Sequence, residues 1–300
     1  MGQPFGHYEL QALVGKGGMA EVFRATELEG PRAGQLVAIK RLLPKLAQDP
    51  RYVGLFMAEA ELSRRLHHPK IVEVYEAGTI DAQHYMAMEY VDGRDLGMVL
   101  RRCQERHILL PVDFAVFLGV TLLDALSYAH VAPAPDGSPL GVVHCDVSPS
   151  NLFVSRVGEI KLGDFGIARA NAAEPSRGHL YGKVHYLSPE ALEGSVDGRA
   201  DLWAATVTLY QLLVNERPFG GQNPDEVAES IRRASPASLR EKRAEIQEAL
   251  DRAVMRGFAL DPALRYPDAA PFALALRGLY DERVGNPLAI AAVVRGLFGA

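Results

Sequence analysis

Val142-Val143-His144-Cys145-Asp146-Val147-Ser148-Pro149-Ser150-Asn151-Leu152-Phe153-Val154, followed by Ile160-Lys161-Leu162-Gly163-Asp164-Phe165-Gly166, is the stretch around which this chain is organised. Two apolar, β-branched runs each end in a polar turn, so each reads as a short strand delivering an acid to a loop. An aspartate on a rigid loop can accept a proton from a hydroxyl. An asparagine and a second aspartate a few residues on can hold hard divalent cations through oxygen. Asp146, Asn151 and Asp164 therefore have the composition of a phosphoryl-transfer centre.

Toward the N-terminus, Tyr8 to Val14 alternates and then breaks into Gly15-Lys16-Gly17-Gly18-Met19-Ala20-Glu21-Val22, a glycine turn between two strand-like runs. Without Cβ atoms, such a turn lets backbone amides approach an anion closely. Gln35 to Leu42 reads as a strand carrying Val37-Ala38-Ile39-Lys40, and Arg51 to Leu66 has a helical apolar period that offers Glu59 and Glu61. Ile71 to Tyr75 and His84 to Tyr90 read as two more strands, and Asp92-Gly93-Arg94 turns the chain into a helical region. Beyond it, Asp95 to Arg106 and the strongly apolar Pro111 to His130 read as helices, and the Pro/Gly-rich Ala132 to Gly141 as a surface loop.

In this order and spacing the motifs resemble those of the protein kinase family, and most nearly the eukaryotic-like (Hanks-type) bacterial serine/threonine kinases. That family has a glycine-rich hairpin, a Val-Ala-Ile-Lys strand, a His-x-Asp catalytic loop ending in Asn, and Asp-Phe-Gly. The resemblance covers roughly Tyr8 to Tyr280. It implies an α+β bilobal fold: a small β-rich lobe over 1–91, a larger, mostly helical lobe over 92–280, and a helical extension over 281–300. It also implies transfer of the ATP γ-phosphate to protein hydroxyls. Asp146 would orient or accept the acceptor's proton, and Asn151 and Asp164 would hold Mg2+, or alternatively Mn2+. Lys40 would grip the nucleotide phosphates, oriented by Glu59, whose spacing to His68-Pro69 suits that role better than Glu61's. Gly15, Gly17 and Val22 would cover the nucleotide, with Ala38, Met88 and the hinge residues Glu89 and Val91 around its base. Asp201 would brace the catalytic loop, and Arg265 would pair with Glu190 at the end of the activation segment.

Besides Thr206, which replaces the usual Gly after the Asp201-Leu202-Trp203 segment, four positions depart from the family pattern. Ala20 replaces the third glycine, which implies a stiffer loop. Cys145 stands where regulated kinases carry an Arg that receives an activation-loop phosphate, and Ser176 is the only serine or threonine from Ala170 to Tyr181, so activity is expected not to wait on phosphorylation there. Ser148 replaces the catalytic-loop Lys, and Lys183 replaces a Thr that faces the same place in the family fold. Lys183 is thus expected to supply the cation that position 148 gave up, the alternative being a solvent-directed lysine and a weakened site.

Composition narrows the remaining classes. The chain has 300 residues, 48% of them hydrophobic, and a net charge of −5, enough for a large core but with no basic footprint for nucleic acid. Two cysteines make no disulfide framework and suit a cytoplasmic location. No targeting segment is read at either end, and no apolar run is expected to approach the ~20 residues of a membrane span. Two alternatives stay open at this level: a pseudokinase that binds nucleotide or serves as a scaffold, and a small-molecule phosphotransferase. The substrate and the oligomeric state are not legible.

Overall fold

A computed structural model describes residues 2–134, 136–165 and 183–299. Gly166, Ser176 and Gly182 fall outside them. The chain divides into two compact units, Met1–Val91 and Asp92–Ala300.

The first unit is an antiparallel sheet with one helix. Its strands are β1 (Gln3–Phe5), β2 (Tyr8–Lys16), β3 (Ala20–Glu27), β4 (Leu36–Leu42), β5 (Val74–Ile80) and β6 (Gln83–Glu89), ordered β1-β2-β3-β4-β6-β5. Helix α1 (Pro50–Ser63) starts where Asp49 accepts from the Arg51 N–H at 2.9 Å and Pro50 presets the first turn. One face of the sheet buries Phe5, Tyr8, Leu10, Ala25, Val37, Ile39, Tyr85 and Ala87. Strand β1 has no signal in the alternation that begins at Tyr8; it forms because Phe5 completes this cluster. The expected strand over Ile71 to Tyr75 is displaced. Ile71 donates its N–H to His68 O in a turn, and the ladder runs Val74–Ile80 instead. Glu76-Ala77-Gly78 has poor strand propensity. It is held there by the Tyr8 and Tyr85 hydroxyls, which donate to Glu76 Oε1 at 2.8 and 2.6 Å.

The second unit begins with β7 (Gly93–Asp95), α2 (Leu96–Glu105) and α3 (Val112–Val131), and continues through β8 (Leu152–Ser155) and β9 (Ile160–Leu162). Its remaining helices are α4 (Pro189–Leu192), α5 (Gly198–Val214), α6 (Pro224–Arg233), α7 (Leu239–Lys242), α8 (Glu248–Arg256), α9 (Ala269–Arg277) and α10 (Pro287–Phe298). Strands β7-β8-β9 form a small sheet, and α3 packs on α5 and α9.

Two expectations need correction here. Val112–Val131 is a 20-residue helix of mean hydropathy 1.6, so by length and composition it could cross a membrane. In the fold, 67% of that window is buried, which is the apolar all-round surface of a core helix. The C-terminal helix does not span 281–300: Asn286 caps it by accepting from the Ala289 N–H, and it starts at Pro287. Its last carbonyls, Gly296 O and Leu297 O, accept from Arg106 and Arg102 of the α2 region at 2.9 and 3.2 Å.

Candidate active site

In the first unit the register assembles the expected nucleotide residues on the sheet face opposite the apolar cluster. Gly15 pairs with Val22, Val22 with Lys40, and Ala38 with Met88. Directly opposed residues share a face, as do Ala38 and Lys40 two apart on one strand. The hairpin closes through Gly17 N–H to Ala20 O at 2.8 Å. A Cβ at Gly15 or Gly17 would meet nothing closer than 3.5 Å, and neither has a positive φ. The protein's own packing therefore does not demand glycine at either position, whereas close approach of a phosphate would. Ala20 is buried and pairs with Leu42, on the same face as Val22 and Lys40 two residues along each strand.

Lys40 Nζ donates to Glu59 Oε1 at 2.6 Å, with both side chains largely buried. Glu61 instead lies on the exposed side of α1 and binds Arg65 at 2.8 Å. Glu89, the last residue of β6, donates its N–H to Glu73 O at 2.8 Å while its own Oε2 accepts from the Glu73 N–H at 3.3 Å, and Val91 closes the unit.

In the second unit, β8 and β9 bring the acids together. Leu152 pairs with Leu162, and Gly163 N–H donates to Asn151 O at 2.9 Å, so Asp164 emerges beside Asn151. Asn151 Nδ2 donates to Asp146 O at 2.8 Å and to Asp146 Oδ2 at 3.0 Å. Its amide nitrogen is thereby committed to Asp146, and Oδ1 is what it can offer a cation. Asp164 and Cys145 both adopt left-handed backbone, φ 55° and 61°. For non-glycine residues that conformation costs roughly 1–3 kcal/mol each and concentrates at functional sites.

The loop backbone is braced from below. Asp201, 1% exposed, accepts from His144 N–H at 2.7 Å and Cys145 N–H at 2.9 Å, and it also bonds His130 Nε2 at 2.8 Å. His130 was invisible as a site residue in sequence, being one polar residue at the end of an apolar helix. His144 is fully buried. Its Nδ1 accepts from Asp146 N–H at 3.2 Å, which leaves Nε2 to donate to Gly163 O at 3.1 Å. Burial holds its pKa below the ordinary histidine value, consistent with this neutral tautomer. Phe165 packs on the ring at 4.5 Å.

Lys183 Nζ forms an ion pair with Asp146 Oδ2. Ser148 is buried, its hydroxyl bonded to Ser150 Oγ at 2.9 Å. Cys145 Sγ lies 3.5 Å from Val143 O and brings no charge that could receive a phosphate. At the far end of the segment, Arg265 grips Glu190 in a bidentate pair at 2.7 and 2.8 Å.

Among the described residues no three His, Cys, Asp or Glu side chains cluster to form an all-protein metal cage. Mg2+ does not need one: it is ordinarily bound by one or two protein oxygens together with substrate phosphates and water. The Asn151 and Asp164 oxygens fit that donor set.

Residues 8–266 match the protein kinase domain family. The chain is 35% identical over 302 residues to the tyrosine-protein kinase MasK of Myxococcus xanthus, covering 99% of this chain and 47% of that protein. It is 35% identical over 292 residues to the probable serine/threonine-protein kinase PknB of Corynebacterium glutamicum, covering 93% of this chain and 43% of that one. The chain thus spans about half the length of the curated relatives it matches. The crystal structure of the Mycobacterium tuberculosis PknI kinase domain superposes with a TM-score of 0.68 at 30% identity, covering 93% of this chain and 98% of that one. With the hairpin, the Lys40–Glu59 pair and the Asp146–Asn151–Asp164 loop in one sequence order, this chain belongs to the protein kinase domain family.

Proposed function

We propose that the chain transfers the γ-phosphoryl group of ATP to hydroxyls of protein substrates, principally serine and threonine. Mg2+ or Mn2+ would serve as the metal, and phosphorylation of the chain's own activation segment would not be needed. The observation that carries this reading is the bonding of Asn151 Nδ2 to both the carbonyl and the carboxylate of Asp146, which sets the base beside the metal-holding pair. Asp146 orients the acceptor hydroxyl and takes its proton, a contribution of about 10²–10⁴-fold. Lys40, held straight by Glu59, binds phosphate oxygens, and the Gly15 to Val22 hairpin offers its amides. The metal, once bound through Asn151 and Asp164, supplies neutralisation of phosphate charge. The Glu190–Arg265 clamp favours a protein-binding platform over a small-molecule phosphotransferase, and the intact Lys40, Glu59, Asp146, Asn151 and Asp164 weigh against a pseudokinase.

A second reading, with tyrosine as the acceptor, is favoured by the name of the Myxococcus relative and by the small side chain at Ser148. The test is transfer of labelled γ-phosphate by the purified chain onto itself and onto a generic basic protein, with Asp164→Ala as control, followed by phosphoamino-acid analysis. Transfer to serine and threonine that vanishes in the variant is expected, and it should survive phosphatase pretreatment. Phosphotyrosine alone would select the second reading. ATP binding without any transfer would overturn both.

A further inference from the structure

The ion pair on Asp146 comes from an unusual direction. Lys183 lies far along the chain from the catalytic loop, yet its ammonium meets Asp146 Oδ2, the same oxygen that accepts from Asn151 Nδ2. Its side chain is only 30% exposed, unlike that of a solvent-directed lysine. At the position two residues after Asp146, Ser148 is 3% exposed and turned onto Ser150, so the catalytic loop places no cation there.

The backbone that carries Lys183 is fixed. Lys183 O accepts from Tyr186 N–H at 3.1 Å, and Val184 is buried. His185 Nδ1 bonds Phe219 O at 3.1 Å, and the Tyr186 hydroxyl donates to Gln211 of α5 at 2.7 Å. Ser188 caps α4 by accepting from Ala191 N–H, and Glu190 is clamped by Arg265. The reach of Lys183 to Asp146 is thus a property of the packed segment.

We propose that Lys183 is a catalytic residue: the cation of the transfer centre, carried on the activation segment in place of one on the catalytic loop. This rests on the kinase reading above. During transfer, the acceptor oxygen forms a bond to the γ-phosphorus while the bond from that phosphorus to the β,γ-bridging oxygen breaks. ADP leaves with the electron pair, and the acceptor's proton passes to Asp146. A phosphoryl group and the Asp146 carboxylate are both negative, and a cation shared between them lowers the cost of bringing them together. Because the cation belongs to the activation segment, any rearrangement of residues 183–190 removes charge and substrate platform together, which gives the segment control of turnover without a phosphate receiver at Cys145.

The experiment compares Lys183→Met, Lys183→Arg, Lys183→Thr and the transplant Ser148→Lys/Lys183→Thr with the wild type in ATP-dependent transfer. It also compares Lys183→Met, Asp146→Asn and their combination in thermal unfolding without nucleotide. Removing one such preorganised donor costs about 10²–10³-fold in kcat. Lys183→Met is expected to fall by that much, Lys183→Arg by less, and the transplant to recover to within about tenfold of wild type. In the nucleotide-free protein, the Tm losses of Lys183→Met and Asp146→Asn should not add. Turnover of Lys183→Met within about threefold of wild type overturns the assignment, as does a transplant no better than Lys183→Thr, or additive Tm losses. An inactive wild type refutes the kinase reading and the lysine assignment together, whereas an active wild type with an equally active Lys183→Met refutes the lysine alone.

Discussion

Replacing Glu190 with Ala should destabilise the protein by about 3 kcal/mol, because it strands a buried charge. The Arg265 side chain is 0% exposed and that of Glu190 19%. Removing one partner of a buried ion pair costs roughly 3–5 kcal/mol. The lower end applies here because other acceptors remain for the guanidinium: Ala259 O at 2.8 Å, Arg199 O at 3.2 Å and Leu260 O at 3.3 Å. The Trp203 ring also lies 4.9 Å away. For a unit of this size, 3 kcal/mol lowers Tm by about 6–12 °C. The double change Glu190→Ala/Arg265→Met should cost less than Glu190→Ala alone, since no unpaired charge is left. Burial tends to raise the pKa of the Glu190 carboxyl, but the Arg265 hydrogen bonds outweigh it and hold the group below its ordinary value. A carboxyl lowered in the folded state contributes stability that is present above the unfolded value of about 4.3 and lost as pH falls through the folded one. Glu190→Ala should lack that part of the acid loss. Urea unfolding at pH 7 and pH 3.5 measures all three effects. A single-variant cost below about 1 kcal/mol, or a double variant worse than the single, would refute the reasoning.

Other consequences of the packing can be measured in the same way. A Cβ at Gly257 would lie 2.2 Å from Thr206 Oγ1, which is held by donation to Leu202 O at 2.7 Å; Gly257→Ala should therefore cost about 1–3 kcal/mol, and Thr206→Ala in the same chain should restore most of it. Asp201→Asn must present an NH2 to one of the backbone donors of His144 and Cys145 or to His130, so turnover measured well below Tm should fall along with a stability loss of about 1–3 kcal/mol. Gly158 has φ 88° and lies against Pro287 O, so Gly158→Ala should expose α10 to limited proteolysis while leaving α3 and α5 protected. Burial lowers the pKa of His144 and His185, so the unfolded chain binds protons first; the unfolding free energy should fall as pH drops below about 6.5, by at most about 1.4 kcal/mol per pH unit for each histidine, and the urea midpoint with it. A midpoint flat from pH 7 to 5.5 would contradict that.

The local chemistry was legible in the sequence because each motif is set by a short-range rule. Glycines mark the hairpin, a β-branched run carries Lys40, and two short strands end at Asp146 and Asp164. The resemblance to the kinase family, through its spacing to His68-Pro69, chose Glu59 over Glu61, and the fold pairs Lys40 with Glu59. What the pattern could not give were the contacts distant in sequence that no motif anticipates. Strand β1 exists because Phe5 completes an apolar cluster, and β5 runs through Glu76-Ala77-Gly78 because two tyrosines far apart in the chain bind one carboxylate. The apolar period of Val112–Val131 is the same for a core helix as for a membrane span, and only its burial against α5 and α9 tells them apart. His130 gained its place only when Asp201 was brought beside it. The sequence by itself therefore determined which groups the candidate site has to offer, since residue type fixes chemistry and the order of the motifs resembles that of the kinase family. Tertiary structure alone decided that Lys183 reaches Asp146, because an ion pair between residues 37 positions apart exists only where packing holds both backbones within reach.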